Sequence, residues 1–271
     1  MSSRFGLLRL DYTFSVIVPM LIAIYLNNLN LFRHIDILLG FLFLAITGNT
    51  WNDVIDMKDP SEIQTLKRVE GFHPKEIFTV GFVSFILGIS LLLRTCIMHF
   101  LNAIFLIIII AMVLLYCKWL KPIPFINQIL LGSSHMLLPY FMIKIDANLP
   151  LINTEVELLL LLAFFTFALT GQFVHEVIDT DALAKHFSLK QCQIVIWIFS
   201  LISLALGLWA FLIIQHYYFF AFVFLPIGTM YTFRRPTKST QGVKDIGILM
   251  GNFLLIYFLC LITLQMVGII Q

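Results

Sequence analysis

Apolar residues in this chain come in long unbroken blocks, and short polar stretches separate them. Nine such blocks can be marked, at about 11–28, 35–51, 76–94, 99–117, 124–144, 156–178, 192–214, 216–233 and 245–270. A helix needs roughly 17–25 apolar residues to cross a bilayer, and most of the blocks fall in that range. Strands of a membrane barrel alternate apolar and polar positions, which these blocks do not. The pattern predicts an all-α polytopic membrane protein: one domain over 1–271, with about nine transmembrane helices around a central cavity. The first block follows Arg4 and Arg9 but continues to Leu26 and ends in Asn27-Asn28-Leu29-Asn30. It shows no small-x-small cleavage pattern, so it reads as a spanning helix and not a removable leader.

Composition agrees. Of the 271 residues 60% are hydrophobic and 12% charged, against about 25% charged in a soluble domain. The net charge of +2 and the lack of a basic, aromatic-interleaved cluster argue against a nucleic-acid partner. Cys96, Cys117, Cys192 and Cys260 are scattered and form no CxxC pair, so they read as small buried hydrophobes. Basic residues orient the bundle. With the N-terminus inside, only Arg33, Arg94 and Lys144 of the 17 lie outside, and the inside set includes Arg234, Arg235 and Lys238. That asymmetry predicts a cytoplasmic N-terminus, in the inner membrane if the cell is bacterial.

The acidic residues divide into two groups. Asp36, Asp146, Glu155 and Glu157 read as ordinary loop charges on the outer side. Asp53, Asp56, Asp59, Glu176, Asp179 and Asp181 gather at the inner ends of the second and sixth blocks. Asn49, Asn52, Asp53 and Asp56 fall at i, i+3, i+4 and i+7, and so do Gln172, His175, Glu176 and Asp179. On helices these become two polar stripes. Two such helix ends four helices apart point to a pseudo-repeat of four-helix halves. Oxygen ligands on one stripe suit a hard cation such as magnesium, which commonly carries substrate phosphates. Intramembrane charge is costly, so such residues usually line a cavity or pair with one another.

Two basic segments share that face. Tyr116-Cys117-Lys118-Trp119-Leu120-Lys121-Pro122 places two lysines at the membrane edge, as phosphate binders or as simple topological anchors. Lys67-Arg68 lies in the loop after the first stripe, and could grip phosphate or be a solvated pair. Carboxylates and lysines on one face of a membrane cavity point to a diphosphate held through magnesium. Departure of an allylic diphosphate needs its charge neutralised, and an apolar cavity would shelter the carbocation.

These residues resemble the UbiA superfamily of intramembrane prenyltransferases, typified by 4-hydroxybenzoate polyprenyltransferase. Asn52, Asp53 and Asp56 match the first positions of its Asn-Asp-x-x-Asp-x-x-x-Asp motif. His175, Glu176 and Asp179 are similar to one variant of its second motif, and Tyr116 through Asn127 to its stretch between helices 4 and 5. The resemblance implies transfer of a prenyl group from a polyprenyl diphosphate donor to a small-molecule or lipid acceptor, assisted by Mg2+, with Asn52, Asp53, Asp56 and Asp179 as the catalytic set. It also implies a metal-ligand set drawn from Asp53, Asp56, Asp59, Glu176, Asp179 and Asp181. Lys118, Lys121, Lys67, Arg68 and Tyr116 would hold the diphosphate. The chain departs from the pattern at Asp59, one residue early and next to Pro60, and at Leu183, where a second aspartate is common. Proline disfavours helix at the residue before it, so Asp59 is expected off the helix. An ion-coupled transporter and a catalytically degenerate relative are the competing readings. A transporter usually carries its acids near the midplane, in broken helices.

Overall fold

A computed structural model describes residues 4–60, 62–214, 217–233 and 241–270. Among them the chain is helical, with no strand. Two 3-10 turns, Arg4–Leu8 and Leu10–Tyr12, lead into α1, Phe14–Leu26. Then come α2 (Ile35–Asp56), α3 (Ile63–Arg68), α4 (Pro74–Met98) and α5 (Phe100–Leu115). They are followed by α6 (Ile126–Gly132), α7 (Leu138–Asp146), α8 (Glu155–Asp179) and α9 (Ala182–His186). The last are α10 (Leu189–Ile214), α11 (Phe220–Thr232) and α12 (Gln241–Met266). Arg234, Arg235 and Lys238, counted above to the inner face, lie outside the described residues.

Among the described residues seven helical segments are long and apolar enough to cross a membrane. The other two blocks fold differently. Residues 126–146 are helical throughout, but a π-helical turn at Ser133–Leu137 separates α6 from α7. Pro139 explains the widening, because it has no N–H for the carbonyl four residues back and its ring crowds that carbonyl. α11 has 13 residues and contains Pro226. The expected polar linkers are also partly helical. α2 runs five residues past its apolar block, so Asn52, Asp53 and Asp56 are all on it, and α3 and α9 sit in the linkers after the two motifs.

α1 is the most enclosed span, with Met20 through Ile24 essentially inaccessible. It packs against α2, α7 and α12. α2 and α4 pair most extensively, and glycines make that possible. A Cβ on Gly88 would come within 2.9 Å of the Gly40 carbonyl, and one on Gly81 within 2.4 Å of Thr50 Oγ1. Small residues of this kind let membrane helices approach closely. Thr47 Oγ1 then donates to the Gly81 carbonyl at 3.1 Å, which fixes the half of α2 that carries the first motif. Large apolar side chains such as Ile97, Phe100, Ile107 and Leu212 point outward, as an apolar solvent requires.

Glu155 is exposed, but Asp146 and Glu157, at the end of the bundle opposite the motifs, are not the loop charges the sequence predicted. Glu157 and Lys144 are buried and joined at 2.6 Å. Tyr140 Oη and Asn27 Nδ2 also donate to Glu157 Oε1, and the Asn153 backbone N–H donates to Oε2 at 2.6 Å. Asp146 is buried too and accepts from His34 and Arg94, whose guanidinium also grips Asp36. In an apolar surrounding an unpartnered charge is expensive, so Glu157, Asp146 and Asp36 pair and tie together the ends of α1, α2, α4, α7 and α8 that lie away from the motifs. Alternating loop and helix in the sequence cannot show which charges face inward.

Candidate functional site

The first motif occupies the last turn and a half of α2. Asp53 is completely buried. Arg68 of α3 donates to it twice, Nε to Oδ2 at 3.1 Å and Nη2 to Oδ1 at 2.6 Å. Arg9 lies 3.9 Å away with its guanidinium over the Tyr12 ring. Asp56, one turn on, accepts from Asn52 Nδ2 at 2.7 Å and from Lys121 Nζ at 2.9 Å. α2 stops there, and Asp59 lies beyond its end, exposed, just before Pro60.

Lys121 reaches Asp56 because of how α5 ends. A π-helical turn at Tyr116–Leu120 widens the last turn, and Pro122 and Pro124 block continuation. Phe125 takes a left-handed backbone with φ 67°, which redirects the chain into α6. Lys121 Nζ also donates to Glu62 Oε1 at 2.8 Å. Burial pulls the Lys121 ammonium down, but the hydrogen bonds to Asp56 and Glu62 outweigh it and hold its pKa above the ordinary lysine value.

The second motif ends α8. Thr180 adopts a left-handed C-cap, φ 62°, and the Asp181 N–H closes back on the Glu176 carbonyl at 2.9 Å. Glu176 accepts from Asn127 Nδ2 and from the Leu183 backbone N–H at 2.9 Å. Asn127 Nδ2 also donates to the Lys121 carbonyl at 2.9 Å, so one side chain joins the loop to the second motif. His175 pairs with Asp179 at 2.9 Å, and Gln64 of α3 donates to the same carboxylate at 3.1 Å. Burial pushes the Asp181 carboxyl up, with Glu62 and Asp179 adding to it, while Lys121 and Lys185 pull it back.

The two motifs therefore converge at one end of the bundle, linked by Lys121, Gln64 and Asn127. Asn52, Asp53, Asp56, Arg68, Lys121, Glu176, Asp179 and Asp181 are gathered there. Half-buried Tyr116 sits in the electrostatic neighbourhood of Lys121, Asp181 and Glu176. Lys118 is not gathered in, because it is exposed with its ammonium over the Trp119 ring at 4.3 Å. Lys67 is exposed on α3. Leu183 is wholly buried in a cluster with Val177, Cys192 and Ile196, so its position contributes only its backbone N–H. Glu62, Gln64 and Arg9 were not singled out from sequence. Each looked like a loop or anchor residue, and only tertiary contact reveals its role.

Among the described residues no three His, Cys, Asp or Glu side chains form a ready metal cage. Magnesium usually takes one or two carboxylates and completes its shell with waters and phosphates, so the sparse set fits that ion better than a closed protein site. Asn52 Oδ1 supports the fit, being buried beside Asp56 without a hydrogen-bond partner.

No family model matches the chain, and no curated protein matches it. Solved structures do. A UbiA homologue from Archaeoglobus fulgidus bound to GPP and Mg2+ superposes with a TM-score of 0.69 at 14% identity, covering 96% of this chain and 99% of that one. The same homologue bound to DMAPP and Mg2+ gives 0.68 at 15% identity, with 96% and 98% covered. A structure of digeranylgeranylglyceryl phosphate synthase gives 0.64 at 14% identity, with 96% of each chain covered. At such identities the likeness shows a shared fold, that of polytopic helical membrane proteins.

Proposed function

We propose that this chain is a UbiA-superfamily prenyltransferase, moving a prenyl group from a polyprenyl diphosphate to an acceptor within the membrane, with Mg2+. The observation that carries it is the convergence at Lys121. One ammonium joins Asp56 of the first motif to Glu62 and stands in the field of Asp181 of the second. Two support lines agree: the fold is shared over nearly the whole chain, and the solved homologue holds a prenyl diphosphate and Mg2+. The positive-inside count of the sequence, 14 of the 17 basic residues on the side of the motifs, supports a site on the cytoplasmic side.

The residues that would hold the metal are Asn52, Asp56, Asp179 and Asp181, with Glu176 beside them. The ion would neutralise charge developing on the departing diphosphate. Lys121 has three N–H donors and uses two on Asp56 and Glu62, which leaves one for a phosphate oxygen. Arg68 fixes the Asp53 carboxylate in place with two hydrogen bonds. The allylic C–O bond breaks with its electron pair leaving on the diphosphate. The acceptor's nucleophilic atom then bonds to that carbon and loses a proton.

The test is the full chain in liposomes with labelled geranyl, farnesyl or geranylgeranyl diphosphate, Mg2+ and a membrane lipid extract. Labelled lipid product and free pyrophosphate, both lost on chelation, are expected. Absence of both with every donor overturns the proposal.

A further inference from the structure

The seam between α6 and α8 carries polar atoms that the diphosphate and metal roles leave unused. Two contacts fix its register. Asn127 Nδ2 meets Glu176 Oε1 at the site end, and deeper in the bundle a Cβ on Gly132 would lie 2.8 Å from the Phe165 ring and 3.1 Å from Leu169. Gln128 and Gln172 fall between those contacts, Gln172 one turn before Glu176 and three residues after Leu169. Gln128 is 1% exposed, and neither its Nε2 nor its Oε1 has a well-formed hydrogen bond, although the amide stands near Glu176. Gln172 Oε1 and Asn127 Oδ1 are also buried and unpartnered. Half-buried His135 lies seven residues along from Gln128, in the π-helical turn that follows α6. Buried polar atoms in native proteins are almost always hydrogen-bonded, so this cluster marks a place where a polar group binds.

The unpartnered atoms define that group. Three of the four are amide oxygens, which accept, and the adjacent Glu176 carboxylate also accepts. The nearby cations are engaged: Lys121 with Asp56 and Glu62, Arg68 with Asp53, and Arg9 over Tyr12 and toward Asp53. Apart from Gln128 Nε2, an anionic head would meet acceptor oxygens there, and the one open Lys121 N–H is the one assigned above to the diphosphate. We propose that the α6–α8 seam is the subsite for the acceptor's polar head, and that this head is an uncharged hydroxyl group, not a carboxylate or phosphate. The proposal rests on the prenyl-transfer reading and names its acceptor class. Side-chain rotation of the glutamines admits the hydroxyl, which then donates to the amide oxygens.

The experiment compares dodecanol, dodecyl methyl ether and dodecanoate as ligands that raise the thermal unfolding midpoint of the purified full chain. Dodecanol should stabilise at concentrations about three- to tenfold lower than the ether, the worth of about one hydrogen bond, and dodecanoate least. Gln172→Leu should erase the preference, and in the transfer assay should raise the KM of an alcohol acceptor but not that of the donor. Equal response to alcohol and ether, preference for dodecanoate, or a retained preference in Gln172→Leu each overturns the subsite. The wild-type panel needs no variant, so misfolding of Gln172→Leu does not shield the proposal. An alcohol preference without transfer to any acceptor supports the subsite and sinks the enzymatic reading alone.

Discussion

Two buried polar clusters sit at opposite ends of this bundle, and they are built differently. At the end away from the motifs Glu157, Lys144, Tyr140, Asn27 and Asn153 close a knot in which none of those side chains has a buried atom without a partner. At the motif end, Asn52, Asn127, Gln128 and Gln172 each leave a buried polar atom unpartnered among six carboxylates and three cations. A saturated network holds helices together and has no capacity left for a ligand. An unsaturated one costs stability, which a protein tolerates where a substrate completes the network. Burial of charge alone does not distinguish the two, whereas hydrogen-bond saturation separates the Glu157 knot from the motif end; the neighbouring His34–Asp146 pair still leaves His34 Nε2 and Asp146 Oδ1 unpartnered.

The largest effect tests the Glu157 knot. Lys144→Met leaves the Glu157 carboxylate buried without its cation, and should destabilise the chain by ~3–5 kcal/mol, read as unfolding in detergent. The double variant Lys144→Met/Glu157→Leu should recover part of that loss. A wild-type midpoint in the single variant breaks the comparison. At the motif end the expected signature is reversed. Asp56→Asn should lower prenyl transfer by about a hundredfold or more, with a much smaller change in midpoint than Lys144→Met. Full transfer in that variant with a verified donor removes Asp56 from the site.

Smaller effects sharpen the picture. Asp179→Asn should raise the Mg2+ needed for half-maximal transfer by about tenfold, the scale of losing a ligand or its supporting partner. An unchanged Mg2+ titration shows that the second motif does not serve the metal. Among the basic residues, Lys121→Ala should raise the donor KM about tenfold, whereas Lys118→Ala should raise it by less than about threefold. Equal effects would mean that the exposed position over Trp119 is not where Lys118 acts.

Much of this was legible in the residues. Spans announce themselves because lipid leaves no alternative to long apolar helices. The stripes at Asn52-Asp53-x-x-Asp56 and His175-Glu176-x-x-Asp179 were visible because helical spacing is local. Glu62 and Gln64 were invisible because their partners, Lys121 and Asp179, are 59 and 115 residues away. Glu157 and Asp146 were misplaced as loop charges because sequence places them near a span end but does not say which way they face. The π-turn at Ser133–Leu137 was equally hidden, since Pro139 permits several ways of breaking the helix.

By itself, then, the sequence determined an all-helical membrane chain with two acidic helix ends on the same side, since apolar length, charge asymmetry and 3.6-residue spacing are properties of consecutive residues. Tertiary structure alone decided which of those charges are saturated and which are left open. That depends on which side chains from distant helices arrive at the same buried point, and no local pattern encodes it. Asp53 and Asp56 look alike in the chain. Packing gives one to Arg68 at the base of the site and the other to Lys121 between the two motifs.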